Sequence, residues 1–345
     1  MEYRLMGSTG VSVSRLCLGT MTFGKETDEA GAHAQLDAFV EAGGNFVDTA
    51  DVYQAGMSEE IIGRWLAARP GMADEIVLAT KGRFPMGEHA NSVGLSRKHL
   101  TSALDGSLRR LGVERIDLYE VHAFDPLTPL EETLRFMDDA VSAGKISYFG
   151  LSNFLGWQIA AISELAASSG RVAPVLLQPQ YNLLTRYIEL EVVPACLEYG
   201  LGIIPWSPLG GGWLTGKYER DSMPIGASRL GEDPKRGMEN YDARNADPKV
   251  WEIIDVVKDV AGRTGLTMAQ VALAWVADQP GVTAPILGNR TGEQLAEALE
   301  MADKHLDEDD LLRLTDVSAP DLPEYPYGPM GQNQRSRPIT GGRAS

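Results

Sequence analysis

From Leu16 to Asp303 the chain alternates two patterns of apolar positions. Short β-branched or apolar runs fall at Leu16–Leu18, Phe46–Asp48, Ile76–Thr80, Asp117–Val121, Ser147–Leu151, Val175–Gln178, Gly202–Pro205 and Thr283–Ile286. Between and after them, apolar residues recur at helical spacing over Asp28–Ala42, Ser58–Ala67, Arg97–Leu111, Leu130–Ser142, Trp157–Ala167, Glu189–Tyr199, Thr267–Asp278 and Gln294–Asp303. Each helical stretch closes near Gly, Pro or a charged turn, as helix stops require. Repeated strand–helix units predict a parallel sheet, and eight of them favour a closed (β/α)8 TIM barrel over an open doubly wound sheet. The open sheet would carry a Gly-x-Gly-x-x-Gly turn after a strand, and none follows a strand here.

Three segments break the rhythm. The opening YRLMGSTGVSVSRL reads as a β-hairpin turning at Gly7 to Gly10, placed to cap one end of the barrel. Gly210 to Asp247 is rich in Gly, Pro and both signs of charge, a long loop of the kind that serves function or stays disordered, and an additional helix is expected at Val250–Thr264. Residues 319–345 carry APDLPEYPYGPMG and a polar end, and read as a loop-rich, partly mobile tail. The whole of 1–345 is expected to form a single barrel domain, since barrels of this length run as one unit.

Composition narrows the chemistry. A formal charge of -17 opposes a broad basic surface for phosphate backbones, so nucleic acid is not an expected partner. Cys17 and Cys196 are far apart, without the paired spacing of a disulfide framework or a zinc site, so no metal is expected and a reduced compartment is. No signal-like N-terminus and no run of about 18 apolar residues occurs, and the reading is cytoplasmic, with no membrane contact.

In such a barrel the active site lies at the C-terminal ends of the strands. Four apolar strands there run into polar groups: Asp48, Lys81, His122 and Gln178, with Tyr53 just beyond Asp48. Singly, each has an ordinary reading. An Asp after a strand caps a turn, a Lys is a solvated loop charge, a His is packed and hydrogen-bonded, and a Tyr packs with its hydroxyl satisfied. Together at one rim, an acid, a base and two proton carriers point to catalysis.

Asp48, Tyr53, Lys81 and His122, with GLSNF at Gly150 to Phe154, QPQYNLL at Gln178 to Leu184 and WSPLGGGWLTGKY at Trp206 to Tyr218, resemble the aldo-keto reductase superfamily. The resemblance runs from about Tyr3 to Val317 and is nearest to the bacterial branch related to potassium-channel beta subunits. It implies a (β/α)8 barrel and hydride transfer from a nicotinamide cofactor to an aldehyde or ketone. In that scheme Tyr53 is the general acid, Lys81 the cation that stabilises its phenolate, Asp48 the partner that holds the lysine, and His122 the donor that polarises the carbonyl. Glu120, on the same side of its strand as His122, is a candidate supporting partner.

The resemblance also carries over cofactor positions. Ser152, Asn153 and Gln178 match the residues that hold the carboxamide, beside Asp48, and Trp206 matches the aromatic that stacks on the nicotinamide. Ser207, Leu209, Gly211 and Lys217 match the pyrophosphate loop; Gly288, Arg290, Gln294 and Glu297 match the adenosine end, and Arg229 matches an arginine reaching it. Ala298 departs from the Asn often found there against adenine. Thr291 and Gln294 form a capping-box pattern, so Arg290 and a helix N-terminus would face a 2'-phosphate, and NADPH/NADP+ is preferred to NADH. Phe23, Tyr53, Phe84, His122 and Phe124 are the expected substrate pocket for a small-molecule carbonyl compound such as a keto-sugar or natural-product ketone. A second class of function is an NADPH-sensing regulatory subunit of a larger complex. Oligomeric state is open.

Overall fold

The structure, a computed structural model, describes residues 1–226, 229–233, 235 and 239–336, with the backbone alone of Arg229. Strands β1 (Tyr3–Leu5) and β2 (Ser12–Ser14) pair antiparallel in the expected hairpin. The remaining strands are β3 (Cys17–Gly19), β4 (Phe46–Asp48), β5 (Val77–Gly82), β6 (Ile116–Val121), β7 (Ile146–Ser152), β8 (Leu176–Gln178), β9 (Gly202–Ile203) and β10 (Ile286–Leu287). They form one parallel sheet in the order β10-β3-β4-β5-β6-β7-β8-β9. Its two edges meet through a parallel bridge between Ile203 and Val282 and backbone hydrogen bonds from Thr283 to Ile203 (2.7 Å) and Ile286 to Pro205 (2.9 Å). The sheet curls on itself as a (β/α)8 barrel.

Strand alternation decides what fills the barrel. Cys17, Phe46, Val77, Ala79, Leu118, Leu176, Ile204 and Ala284 face inward and pack as one cluster, and Met6 and Val13 of the hairpin join it. Most of these residues lie near the strand starts, so the hairpin closes the N-terminal end and leaves the C-terminal rim free. Two residues on from Phe46, Ala79, Leu118 and Leu176 the same inward face carries Asp48, Lys81, Glu120 and Gln178, which places a polar layer directly above the apolar one. The opposite faces of the strands pack under the helices in a larger apolar core.

The helices follow the sequence pattern most closely where caps are explicit. Ser96 accepts from the His99 N–H before Arg97–Leu111, and Gly112 takes the left-handed conformation (φ 68°) that ends it. Glu189–Tyr199 is corrected: the helix is Val192–Tyr199, preceded by a 3₁₀ turn at Tyr187–Leu190. Pro194 lacks an N–H and is tolerated only in a first turn, so the helix starts just before it. Gln294–Asp303 is corrected to Gly292–Leu299, because the Thr291 side chain caps the Gln294 N–H and fixes the earlier start. The last barrel strand is likewise two residues shorter and later than Thr283–Ile286, although Thr283 still bonds across the closure. Helix Glu308–Val317, capped by Asp307, is an element the pattern did not single out. Within the tail, Pro329–Arg335 is helical with Pro at its first position; residues 337–345 lie outside the described residues.

Candidate active site at the C-terminal rim

β4 and β5 deliver the central ion pair. Lys81 Nζ lies 2.7 Å from both Asp48 carboxylate oxygens, donates to the Thr49 carbonyl at 2.7 Å, and reaches the Tyr53 hydroxyl at 3.4 Å. Lys81 has no exposed surface and Asp48 2%. Tyr53 opens a tight turn in which Gln54 and Ala55 take positive φ (49° and 54°). Gly56 follows at φ 99°, where a Cβ would meet Arg110 Cδ at 2.7 Å, so the turn closes only with glycine there. β6 brings His122, whose ring meets Tyr53 edge-on at 5.9 Å and Phe84 at 4.6 Å between centroids. The four side chains singled out in the sequence therefore converge.

Their electrostatics follow from burial. Burial alone would pull Lys81 down, but Asp48, Tyr53 and Glu120 together outweigh it and hold the ammonium above its ordinary range. Burial raises Tyr53 above its usual value; Lys81 pulls it back and Asp48 pushes it up, so the hydroxyl stays protonated at neutral pH. Burial, then Lys81 and Arg83, hold His122 well below the usual histidine range, so the ring is neutral. Its Nδ1 is buried without a partner among the described residues, and an unmet lone pair costs less than an unmet N–H, which favours the proton on Nε2.

Beside this group β7 and β8 supply a polar wall. Gln178 Nε2 donates to Asp48 Oδ1 at 3.0 Å and to the two Glu120 oxygens at 3.2 and 3.3 Å. Ser152 Oγ donates to the Gln178 carbonyl at 2.9 Å. Asn153, at φ 56°, donates to His122 O and Ser152 Oγ and accepts from Trp206 Nε1 at 3.1 Å.

The profile of the Aldo/keto reductase family matches residues 15–319. The chain belongs to this family. It is 37% identical over 328 residues to the uncharacterized oxidoreductase YrpG of Bacillus subtilis, covering 92% of this chain and 96% of that one. A probable voltage-gated potassium channel subunit beta of Oryza sativa is 36% identical over 308 residues, 88% of this chain and 92% of that one. The versiconal hemiacetal acetate reductase of Aspergillus parasiticus is 32% identical over 343 residues, 93% and 98% of the two chains.

Aldo/keto reductases generally use nicotinamide cofactors, and the rim has a donor and acceptor set that fits one. Trp206 and the Asn153, Ser152 and Gln178 amide and hydroxyl groups form one continuous wall next to Lys81. In the loop after β9, the Gly210, Gly211 and Gly212 N–H groups bond back to Ser207 and Leu209, so the Gly211 N–H is consumed by the loop itself. The Ser207 and Leu209 N–H groups take no partner among the described residues. Lys217 is exposed, with its Nζ 5.3 Å from the centre of the Tyr218 ring. Gly288 is open, Glu297 half-buried, and Gln294 accepts from the Arg290 N–H at 2.9 Å, one residue beyond the position a capping box uses. Arg290 is gripped by both Glu232 oxygens (2.9 and 3.1 Å) with Glu26 at 3.6 Å. The Arg229 side chain lies outside the described residues.

One pocket residue is corrected. Phe23 has no exposed surface and packs in the core beneath the rim, because the Phe23 N–H bonds to Thr20 and folds the segment inward. Phe84 and Phe124 are half-buried at the rim; Phe124 meets Phe154 and the 59%-exposed Trp157 edge-on. Three features escaped sequence reasoning. Glu239, from the long loop, accepts from Ser207 Oγ and from Gln180 Nε2 at 3.2 Å, beside the loop after β9. Arg83 sits at φ 157° immediately after β5, donating to the Phe124 carbonyl. Asp51 is wholly buried, both oxygens unpartnered among the described residues. A run of residues forced into left-handed backbone at one rim marks a built site, but no residue type announces it in sequence.

Among the described residues no helix is long and apolar enough to cross a membrane, and no cluster of His, Cys, Asp or Glu could hold a metal.

Proposed function

We propose that this member of the family is an NADPH-dependent carbonyl reductase with a single barrel domain, reducing an aldehyde or ketone with Tyr53 as general acid. The observation that carries the reading is the contact of a protonated Tyr53 with a lysine locked to Asp48, next to a neutral His122. A reduced nicotinamide bound beside Trp206 supplies the hydride. As the carbonyl carbon takes the hydride, the C=O π pair moves to oxygen, and Tyr53 gives that oxygen its proton. The phenolate left behind faces Lys81, whose charge offsets it. His122, with its proton on Nε2, donates to the carbonyl oxygen and fixes its approach. Phe84, Phe124 and Trp157 supply apolar surface, which suits a substrate with an aryl or alkyl arm.

Ser152, Asn153 and Gln178 would hold the carboxamide; Ser207, Leu209, Gly211 and Lys217 the pyrophosphate; and Gly288, Arg290, Gln294 and Glu297 the adenosine. NADPH is preferred because Arg290 and the N-terminus of Gly292–Leu299 adjoin. Arg290 would hold a 2'-phosphate there by exchanging Glu232 for it.

The test is NADPH titration by fluorescence, followed by turnover of a panel of aldehydes, aryl ketones and keto-sugars. Oxidation of NADPH dependent on a carbonyl compound supports the reading. The second reading, a cofactor-sensing subunit, is favoured by similarity to the channel beta subunits, and tight NADPH binding without turnover of any carbonyl would select it.

A further inference from the structure

We propose that Glu120 is a positioning residue: with Asp48 it takes both amide hydrogens of Gln178, so that this amide presents only its carbonyl oxygen to the nicotinamide carboxamide. The proposal rests on the reading of the rim as a nicotinamide site and concerns how one wall of it is oriented.

Glu120 points into the barrel from near the C-terminal end of β6, paired in register with Lys81 on one side and Gly150 on the other. Gly150 makes room for it, since a Cβ there would lie 3.1 Å from Glu120 Cγ. Glu120 has no exposed surface, and its carboxyl reaches the same Gln178 nitrogen that Asp48 reaches. A primary amide has two N–H donors and one carbonyl oxygen, and by shape alone it fits a pocket either way round. With one hydrogen to Asp48 and the other shared between the Glu120 oxygens, the amide nitrogen is saturated. Ser152 Oγ and the Asn153 N–H both go to the Gln178 backbone carbonyl, and the side-chain oxygen Oε1 takes no hydrogen bond from the described residues. It is therefore an acceptor awaiting an N–H, which the carboxamide of a nicotinamide carries. Burial, with Asp48 adding to it, holds the Glu120 carboxyl well above the usual carboxylate range, so the Asp48–Glu120 pair retains a proton beside Lys81 and still offers Gln178 an acceptor oxygen.

Orientation is tested with two cofactors that differ only in this donor: NADP+ and its 3-acetylpyridine analogue, whose acetyl group accepts but cannot donate. Kd for each is measured by fluorescence titration in wild type, Glu120→Leu and Glu120→Met, neither of which offers Gln178 an acceptor, with folding checked by circular dichroism. In the wild type NADP+ binds more tightly than the analogue. Both variants leave Gln178 free to turn and offer N–H to the acetyl oxygen, and the ratio of the two Kd values falls by about fivefold to tenfold, the scale of one hydrogen bond. A role in packing alone weakens both ligands equally, so an unchanged ratio in a folded variant overturns the proposal. If Glu120→Leu does not fold, the Glu120→Met ratio decides. Wild type that binds neither ligand overturns the cofactor reading itself, and the positioning role with it; binding of both with an unmoved ratio overturns only the latter.

Discussion

The Tyr53 hydroxyl lies 3.4 Å from the Lys81 ammonium, and no other cation is recorded in contact with it among the described residues. Replacing Tyr53 with Phe removes the proton donor while leaving the ring against His122. Turnover is expected to fall by about two to four orders of magnitude, the usual worth of a positioned acid, with NADPH affinity unchanged. Stopped-flow measurement of NADPH oxidation checks this, and turnover at the wild-type rate would remove Tyr53 from the role.

Lys81 pulls the Tyr53 hydroxyl down against burial. Lys81→Met lets it rise further. Reduction needs protonated Tyr53 and is lost as pH rises through its pKa, so the alkaline limb of kcat/KM is expected to move to higher pH while the maximum rate falls. The sign follows from the removed positive charge. A limb that stays in place or moves down separates Lys81 from Tyr53.

Much of this arrangement was legible in the sequence, and the reasons are specific. Strand parity placed Asp48, Lys81 and His122 on one inward face, because a period of two allows only one choice once Phe46, Ala79 and Leu118 are inside. Arg97–Leu111 and Leu130–Ser142 were fixed to the residue by caps and stripes. What could not be read were relations between distant segments. Glu239 reaches Gln180 and Ser207 from a loop with no periodic pattern, Glu232 grips Arg290 across 58 residues, and Phe23 turns inward through a backbone hydrogen bond. The balance between burial and charge at Tyr53 was also hidden, since it depends on depth rather than on residue type.

Asp51 offers a test that does not involve turnover. It is buried beside Glu59, Arg110, Lys81 and Tyr119, and burial first, then Glu59, raises its pKa from 3.8 to about 7. The folded state thus binds a proton that the unfolded chain releases near pH 4, so the stability linked to this group is full below that point and is lost as pH rises through 7. Asp51→Asn removes the loss. Relative to wild type, its Tm is expected to rise between pH 5 and pH 8, by an amount equivalent to at most ~3 kcal/mol at the upper end. Calorimetry at several pH values checks this, and a pH-independent difference would show that Asp51 does not hold the proton.

In the proposed cofactor site Arg290 is the residue expected to distinguish the two dinucleotides, and its present partners are carboxylates. A 2'-phosphate offers more negative charge and a bidentate acceptor, so it exchanges favourably with Glu232, whereas a ribose hydroxyl cannot. Arg290→Ala is therefore expected to weaken NADPH by about tenfold and NADH hardly at all, lowering the preference by the same factor. Glu232→Gln works in the opposite sense: it loosens the grip on the guanidinium without adding a competitor, and NADPH affinity should rise a few-fold, most clearly at low salt, where the charge is least screened. Equal effects of Arg290→Ala on both cofactors would mean that the adenosine end is read elsewhere, and that the carboxylates around Arg290 serve the fold.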